Sequence, residues 1–270
     1  MSRARFTILG CGSSGGVPRI GNQWGACDPE NPKNRRRRCA ALVERFDDRS
    51  RTTRVLVDTG PDIREQLLAA RIKELDAVLY THDHADHTHG IDDLRVLVYL
   101  MKRKIDAWFD VETGQSLRDR FGYCFETPEG RSYPSILTGN VLRPGEPIPV
   151  EGAGGAITAL PVEQEHGNQP SIGYRFGSLA YSPDISGLSD ESVAALEGLD
   201  VWIVDSLRYT PHPSHFTVKQ ALEWIDRLKP KRAILTHLHV DLDYEALRRE
   251  LPSHVEPAYD GMEIAFDPDR

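Results

Sequence analysis

The segment Thr81-His82-Asp83-His84-Ala85-Asp86-His87 constrains this 270-residue chain more than any other. From His82 to His87 it sets three imidazoles and two carboxylates directly after the apolar run Ala77-Val78-Leu79-Tyr80. That run reads as a buried strand, so the donors stand where a strand leaves a sheet. His82 and His84, two apart in an extended loop, can turn toward one cation, while Asp86 and His87 can face a second. Imidazole nitrogen and carboxylate oxygen suit divalent zinc, manganese, iron or nickel without any sulfur. A solvated polar loop has no reason to concentrate imidazole in this way.

The spacing is H-x-H-x-D-H, and with it the chain resembles the metallo-β-lactamase superfamily of hydrolases. The resemblance implies an α/β fold: a four-layer αββα sandwich, here a single domain over residues 1–270, with a binuclear metal site along one edge of two packed sheets. The length is enough for one substantial core, and no linker or repeat divides the sequence.

Composition narrows the partners. A formal net charge of −8 argues against a surface that coats nucleic acid, because such binding relies on Lys and Arg neutralising phosphates. No stable nucleic-acid partner is expected, whereas a small anionic substrate held by metals is compatible with this charge. Met1-Ser2-Arg3-Ala4-Arg5-Phe6 leads straight into a strand without an apolar signal segment. The longest apolar run, Val96 to Met101, is too short to span a bilayer, so the chain reads as cytoplasmic and without a membrane partner. Cys11, Cys27, Cys39 and Cys124 form no C-x-x-C pair and read as buried small residues or unreactive thiols.

Along the chain, Arg5–Leu9 reads as a first strand, followed by the glycine-dense Gly10-Cys11-Gly12-Ser13-Ser14-Gly15-Gly16. That loop lacks a P-loop lysine and the dinucleotide spacing, so a structural turn under the metal site is expected. It looks like the loop that opens the phosphodiesterase-type members, including transfer-RNA 3′-processing nucleases. The run Lys33-Asn34-Arg35-Arg36-Arg37-Arg38 is a solvated face or a phosphate contact. Trp24, in the same region, could supply a packing or stacking wall. The opening loop, Trp24-Gly25 and a cysteine near the second strand resemble the phosphoribosyl cyclic-phosphate phosphodiesterases. Some of those carry a cysteine cluster for a further zinc, which the lone Cys27 cannot form.

Further apolar runs also end in candidate donors. Paired strands at Cys39–Phe46 and Arg54–Val57 lead to Asp58, and Ala156–Val162 leads to His166. Ser178–Tyr181 leads to Asp184, and Arg232–Thr236 to His237. The resemblance implies His82, His84 and His166 around one metal, Asp86, His87 and His237 around the other, and Asp184 between them. Asp58 then supports the metal histidines from behind, or is a helix N-terminal acid before Pro61. A helix from Thr217, marked by a capping box with Gln220, begins just after His215, which resembles the histidine that phosphodiester-cleaving members hold beside the leaving group. His212 is the competing choice, read as exposed, and His239 has no role implied. Residues 105–150 read as short strands around a helix near Ser116–Phe121, shaping one wall of the cleft.

The expected cofactors are therefore two divalent metal ions, zinc or manganese, with Asp86 and His215 as the catalytic residues. Phosphoribosyl 1,2-cyclic phosphate heads the small cyclic phosphates and nucleotide-like esters expected as substrates. A nucleoside monophosphate product would direct its organic part toward Trp24, Tyr209 or Phe216. Alternatives are an RNA-processing nuclease, a thioester or lactone hydrolase, or a metal- or nucleotide-binding protein without turnover; a homodimer is left open.

Overall fold

The computed structural model describes residues 4–130 and 132–270. Met1-Ser2-Arg3, read above as leading into the first strand, lie outside the described residues. The first half runs β1 (Ala4–Gly10), β2 (Ala40–Phe46), β3 (Thr52–Val57), α1 (Ile63–Ala69), β4 (Ala77–Leu79) and α2 (Ala85–Thr88). It continues through α3 (Leu94–Met101), β5 (Ile105–Phe109), α4 (Val111–Phe125) and β6 (Leu137–Val141). The second half holds β7 (Ile148–Val150), β8 (Ile157–His166), β9 (Gln169–Phe176), β10 (Leu179–Ser182), α5 (Asp190–Ala195) and β11 (Val201–Asp205). Then come α6 (Val218–Leu228), β12 (Arg232–Thr236), α7 (Tyr244–Glu250), β13 (Val255–Pro257) and β14 (Met262–Phe266).

The strands form two seven-stranded sheets, ordered β14-β1-β2-β3-β4-β5-β6 and β13-β12-β11-β10-β9-β8-β7. Alternation along each strand sends neighbouring side chains to opposite faces. Val43, Val55, Val57 and Leu79 meet Tyr181, Ile203 and Ile234 in the core between the sheets. Leu42, Leu56 and Val78 face outward onto Ile63, Leu67, Leu94 and Leu117 of the helices. On the other sheet, Trp202, Val204 and Leu235 do the same toward Ala221, Ile225 and Leu247. The four-layer αββα sandwich follows from strands that are apolar on both faces. Helix α6 starts as its sequence requires: Thr217 Oγ1 accepts from Gln220 N at 3.1 Å, and the Gln220 side chain accepts from Thr217 N at 3.0 Å.

Parallel pairing places the site. β3 pairs with β4, and β10, β11 and β12 pair in turn, all parallel, so their C-terminal ends open at shared edges. In open parallel sheets this is where ligands gather. Several elements differ from the sequence reading. β8 continues to His166 instead of stopping at Val162, because β9 pairs with it through to His166. β9 itself was not anticipated: Pro170 and Gly173 mask the alternation of Ile172, Tyr174 and Phe176, all buried between the sheets. A Cβ at Gly173 would lie 2.4 Å from Gln164 Oε1 and 3.1 Å from Tyr181 O, so only glycine lets the strands close there. α4 is longer than the expected helix near Ser116–Phe121, and α5 and β13 had no counterpart in the reading. No helix among the described residues is long and apolar enough to cross a membrane.

Phe6 is buried between the sheets with its ring 5.4 Å from that of Tyr181 and 6.3 Å from that of Phe176. Phe6→Ala should cost about 3–5 kcal/mol of unfolding free energy in urea titration, the range for an aromatic truncated in a packed core.

Candidate metal centre

Strand ends deliver the donors. β4 runs into Thr81-His82-Asp83-His84, and the single turn of α2 then presents Asp86 and His87 together instead of in the extended loop expected. β8 ends on His166, β10 leads to Asp184 and β12 to His237, so both sheets contribute. Asp83 turns away, accepting from Ser116 Oγ at 2.6 Å and Arg120 Nη2 at 2.9 Å.

Three overlapping groups of donors lie within mutual reach: His82, His84, His166 and Asp184; Asp86, His87 and His237; and Asp184, His215 and His237. In the first, His82 Nε2 and His84 Nδ1 are 2.9 Å apart, and His84 Nδ1 and His166 Nε2 3.3 Å. Asp184 Oδ2 is 3.8 Å from His82 Nε2 and 3.7 Å from His166 Nε2. In the second, His87 Nε2 lies 3.5 Å from Asp86 Oδ2 and 3.1 Å from Asp184 Oδ1. His237 Nε2 lies 3.8 Å from Asp86 Oδ2 and 3.6 Å from Asp184 Oδ2. Donors around a tetrahedral cation at about 2.0–2.1 Å are separated by about 3.3 Å along each edge, which these spacings bracket. His237 Nε2 is buried with no hydrogen-bond partner, a polar atom that a cation would satisfy. The residues therefore fit divalent cations.

Electrostatics favour the same reading. Burial holds His82 well below the usual imidazole range and His166 down to about 4, so both offer a lone pair at neutral pH. Burial opposes the charge on Asp184, but His237, His87 and His82 hold its carboxyl well below the usual range. Burial also opposes charge on His87, yet Asp184, Asp86 and Asp58 push it well above that range: without a cation, a proton balances the carboxylates.

Two fully buried carboxylates orient the rings. Asp58 Oδ2 lies 2.7 Å from His87 Nδ1 and accepts from Thr81 Oγ1 at 2.8 Å, and that hydroxyl stands 3.0 Å from His82 Nδ1. Asp58 thus supports two imidazoles and is not the cap of a helix; α1 has Asp62 at its N-cap position. On the other sheet Asp205 Oδ2 lies 2.7 Å from His215 Nδ1 and 3.2 Å from Ile185 N, with Oδ1 3.7 Å from His237 Nδ1. Asp205, passed over in the sequence analysis, carries the same signal that singled out Asp58: an acid closing an apolar strand.

Residues 53–238 match the family described as the β-lactamase superfamily domain. The chain belongs to the metallo-β-lactamase superfamily. A crystal structure of a new diphosphatase from the PhnP family is 36% identical, with a TM-score of 0.87 over 98% of this chain and 99% of that one. Human tRNase Z, short form, shares the fold at 19% identity and a TM-score of 0.60, covering 96% of this chain and 98% of that one. An octanoyltransferase of Porphyromonas gingivalis is 34% identical over 268 residues. The match takes in 97% of this chain but 52% of that protein, so this chain spans about half the length of the curated relative it matches. This chain has the fold of the superfamily's metal-dependent hydrolases, with a His/Asp cluster able to hold metal ions.

Around this metallo-β-lactamase centre, several expected residues are placed differently. Phe216 is 1% exposed and stacks on Trp224 at 6.1 Å in the core beneath α6, so it is a packing residue and not a wall of the cleft. His212 is half-buried, not exposed, and its ring is 5.0 Å from that of His215. Trp24 packs with Val17, Cys27 and Val240, under the guanidinium of Arg35 at 5.6 Å. Tyr209 is exposed and donates to Glu250 at 2.9 Å.

The basic run serves the fold: Arg36 is buried against the carbonyls of His239 and Leu242, Arg37 pairs with Asp260 and Arg38 with Asp62. The glycine loop is the structural turn expected, its amides bonded to Arg37 O and Leu238 O, and all four cysteines are buried and free. An open cavity of about 690 Å³ beside the centre is lined by Asp83, His84, Ala85, His89, Arg120 and Phe121.

Asp58→Asn keeps the side chain's shape but removes the charge behind His87 and Thr81. Competition with a chromophoric chelator should show metal affinity about 10–100-fold weaker, the usual cost of losing such a partner.

Proposed function

We propose that this chain is a phosphodiesterase acting on a small cyclic phosphate or nucleotide-like diester, with phosphoribosyl 1,2-cyclic phosphate as the leading substrate. It would use two divalent ions, zinc or manganese, one held by His82, His84 and His166, the other by Asp86, His87 and His237, with Asp184 shared. Such ions supply Lewis acidity and a water activated near neutral pH, so no protein nucleophile is required.

The observation that carries the reading is His215. Its Nδ1 is tied to Asp205 at 2.7 Å, while its Nε2, the nitrogen that Asp205 leaves free, stands 3.9 Å from Asp184 Oδ2 and is grouped with Asp184 and His237. Burial lowers His215 and raises Asp205 well above the carboxylate range, so a proton is retained along their hydrogen bond. An anionic phosphate beside Nε2 favours the doubly protonated ring, the form that hands a proton to a leaving alkoxide. Phosphodiester cleavage with an alkoxide leaving group needs that proton; thioester cleavage does not. The similarity to a PhnP-family diphosphatase supports phosphate-ester chemistry, and the cavity against His89 and Phe121 offers room for the organic part of the ester.

Turnover of phosphoribosyl cyclic phosphate, cyclic nucleotides, bis(p-nitrophenyl) phosphate and a thioester by protein loaded with defined metals tests the proposal. Hydrolysis of the thioester alone would overturn it. His215→Ala should keep its metals and lose about 10²–10⁴ in rate on a poor alkoxide leaving group, but far less on p-nitrophenyl esters, which depart without a proton. Equal losses on both would reassign His215 to phosphate binding.

A further inference from the structure

The imidazoles assigned to the two ions are not supported alike. His82, His87, His166 and His237 turn Nε2 to the centre. Their Nδ1 atoms face Thr81 Oγ1 at 3.0 Å, Asp58 Oδ2 at 2.7 Å, Ser214 O at 2.7 Å and Asp205 Oδ1 at 3.7 Å, and all four rings are buried. His84 is the reverse. It turns Nδ1 inward, its Nε2 has no hydrogen-bond partner among the described residues, and it is exposed and lines the cavity beside the centre. A ligating imidazole ordinarily gains affinity and a fixed ring plane from a group on its other nitrogen. For His84 the placement has to come from the backbone.

Nδ1 lies close to Cβ, so its position follows the main chain of residue 84 directly. That main chain is gripped from two sides. His84 O accepts from Thr88 Oγ1 at 2.8 Å and from His87 N at 3.1 Å, within the turn of α2. On the other side, the carbonyl of the peptide joining Asp83 to His84 accepts from Arg120 Nη1 at 2.7 Å. The Asp83 carboxylate accepts from Arg120 Nη2 at 2.9 Å and from Ser116 Oγ at 2.6 Å.

Ser116 and Arg120 are four apart on α4 and so share a face. The helix is itself anchored: Asp110 caps it by accepting from Thr113 N at 2.9 Å, and Leu117 is fully buried in the core. Just past Arg120 the helix kinks at Phe121, with φ −132° and ψ 32°, and the Phe121 ring meets that of His89 edge-on at 5.4 Å. α4 thus touches the metal motif on both sides, at Asp83 before His84 and at His89 after His87. An ion pair whose side chains are 43% and 23% exposed adds little to stability by itself. Three hydrogen bonds converging on the residue between two ligands fix a position instead.

Resting on the assignment of His82, His84 and His166 to one ion, we propose that Ser116 and Arg120 are positioning residues of that metal site: acting through Asp83, they hold the His84 ring where Nδ1 can meet the ion. The role does not depend on which ester is cleaved.

Withdrawal of zinc from the loaded protein by a chromophoric chelator reads the affinity of each ion. In Ser116→Ala combined with Arg120→Gln, one ion should be held about 10–100-fold more weakly, the usual cost of removing an outer partner of a ligand, and the other as before. Anomalous scattering from crystals grown at limiting zinc should locate the depleted ion at His82, His84 and His166. Asp83→Ala should give the same loss alone and no further loss in combination, because the groups act through one residue. Arg118→Gln disturbs the same helix where Arg118 stacks over Phe109 at 5.1 Å, away from Asp83, and should leave both affinities intact. Unchanged affinities in the double variant would overturn the role, as would an equal loss at both ions or a comparable loss from Arg118→Gln. A parent protein that holds fewer than two ions would overturn the ligand assignment and the role with it, a failure visible before any substitution is made.

Discussion

Asp184 is a buried carboxylate answered by five imidazoles, and the arrangement of both sheets depends on it. His82, His87, His166, His215 and His237 all bring a ring nitrogen within 3.9 Å of its oxygens. An ionised carboxylate taken out of water is costly unless it is surrounded by partners, and no single element here could supply enough of them. The first two histidines leave the sheet that contains β4, and the other three stand with the sheet that contains β8, β11 and β12. The charge is therefore tolerable only when the two sheets are packed face to face with their parallel strands ending together. Folding and site assembly are one requirement seen from two sides.

Behind this shared group the two halves use the same device. Asp58 closes β3 and Asp205 follows the apolar residues of β11, and each binds an Nδ1 so that the opposite nitrogen faces the centre. A ring held by a carboxylate on one side has a defined tautomer and little rotational freedom, which is what a ligand or a proton donor needs. The backbone contributes to this aim. Asp58 and His237 both have positive φ, 65° and 57°, a conformation that costs about 1–3 kcal/mol for residues bearing a side chain and persists only where the surroundings enforce it. These strained turns lie where the chain must leave a strand and redirect a functional group into the centre.

The surroundings of the centre divide by charge compensation. Arginines that close the fold, such as Arg37 and Arg38, have their carboxylates at hand, and Arg36 spends its donors on buried carbonyls. Arg208 and Arg175 are likewise bonded to carbonyls, and Arg19 to the His239 ring.

Much of this could be read from the sequence because its signals are local. An apolar run of strand length that ends in His or Asp identifies both a strand and what the strand delivers, and H-x-H-x-D-H concentrates four candidate ligands within six residues. That motif carried the resemblance to the superfamily, which implied the αββα layering and His82, His84, Asp86, His87, His166, Asp184 and His237 as donors; the structure brings these side chains together. Tertiary structure decided what depends on a partner distant in sequence. Asp205 becomes an orienting group only because His215 returns to meet it across a ten-residue excursion. Phe216, adjacent to His215, points into the core and not into the cleft because Trp224 of α6 packs against it. β9 exists as a strand because Gly173 lets Gln164 and Tyr181 approach, and Arg37 and Arg38 of the basic run are ion-paired because Asp260 and Asp62 reach them from other elements. Periodicity and spacing specify which face of its own element a residue occupies, but what that face meets is a property of the assembled sheets.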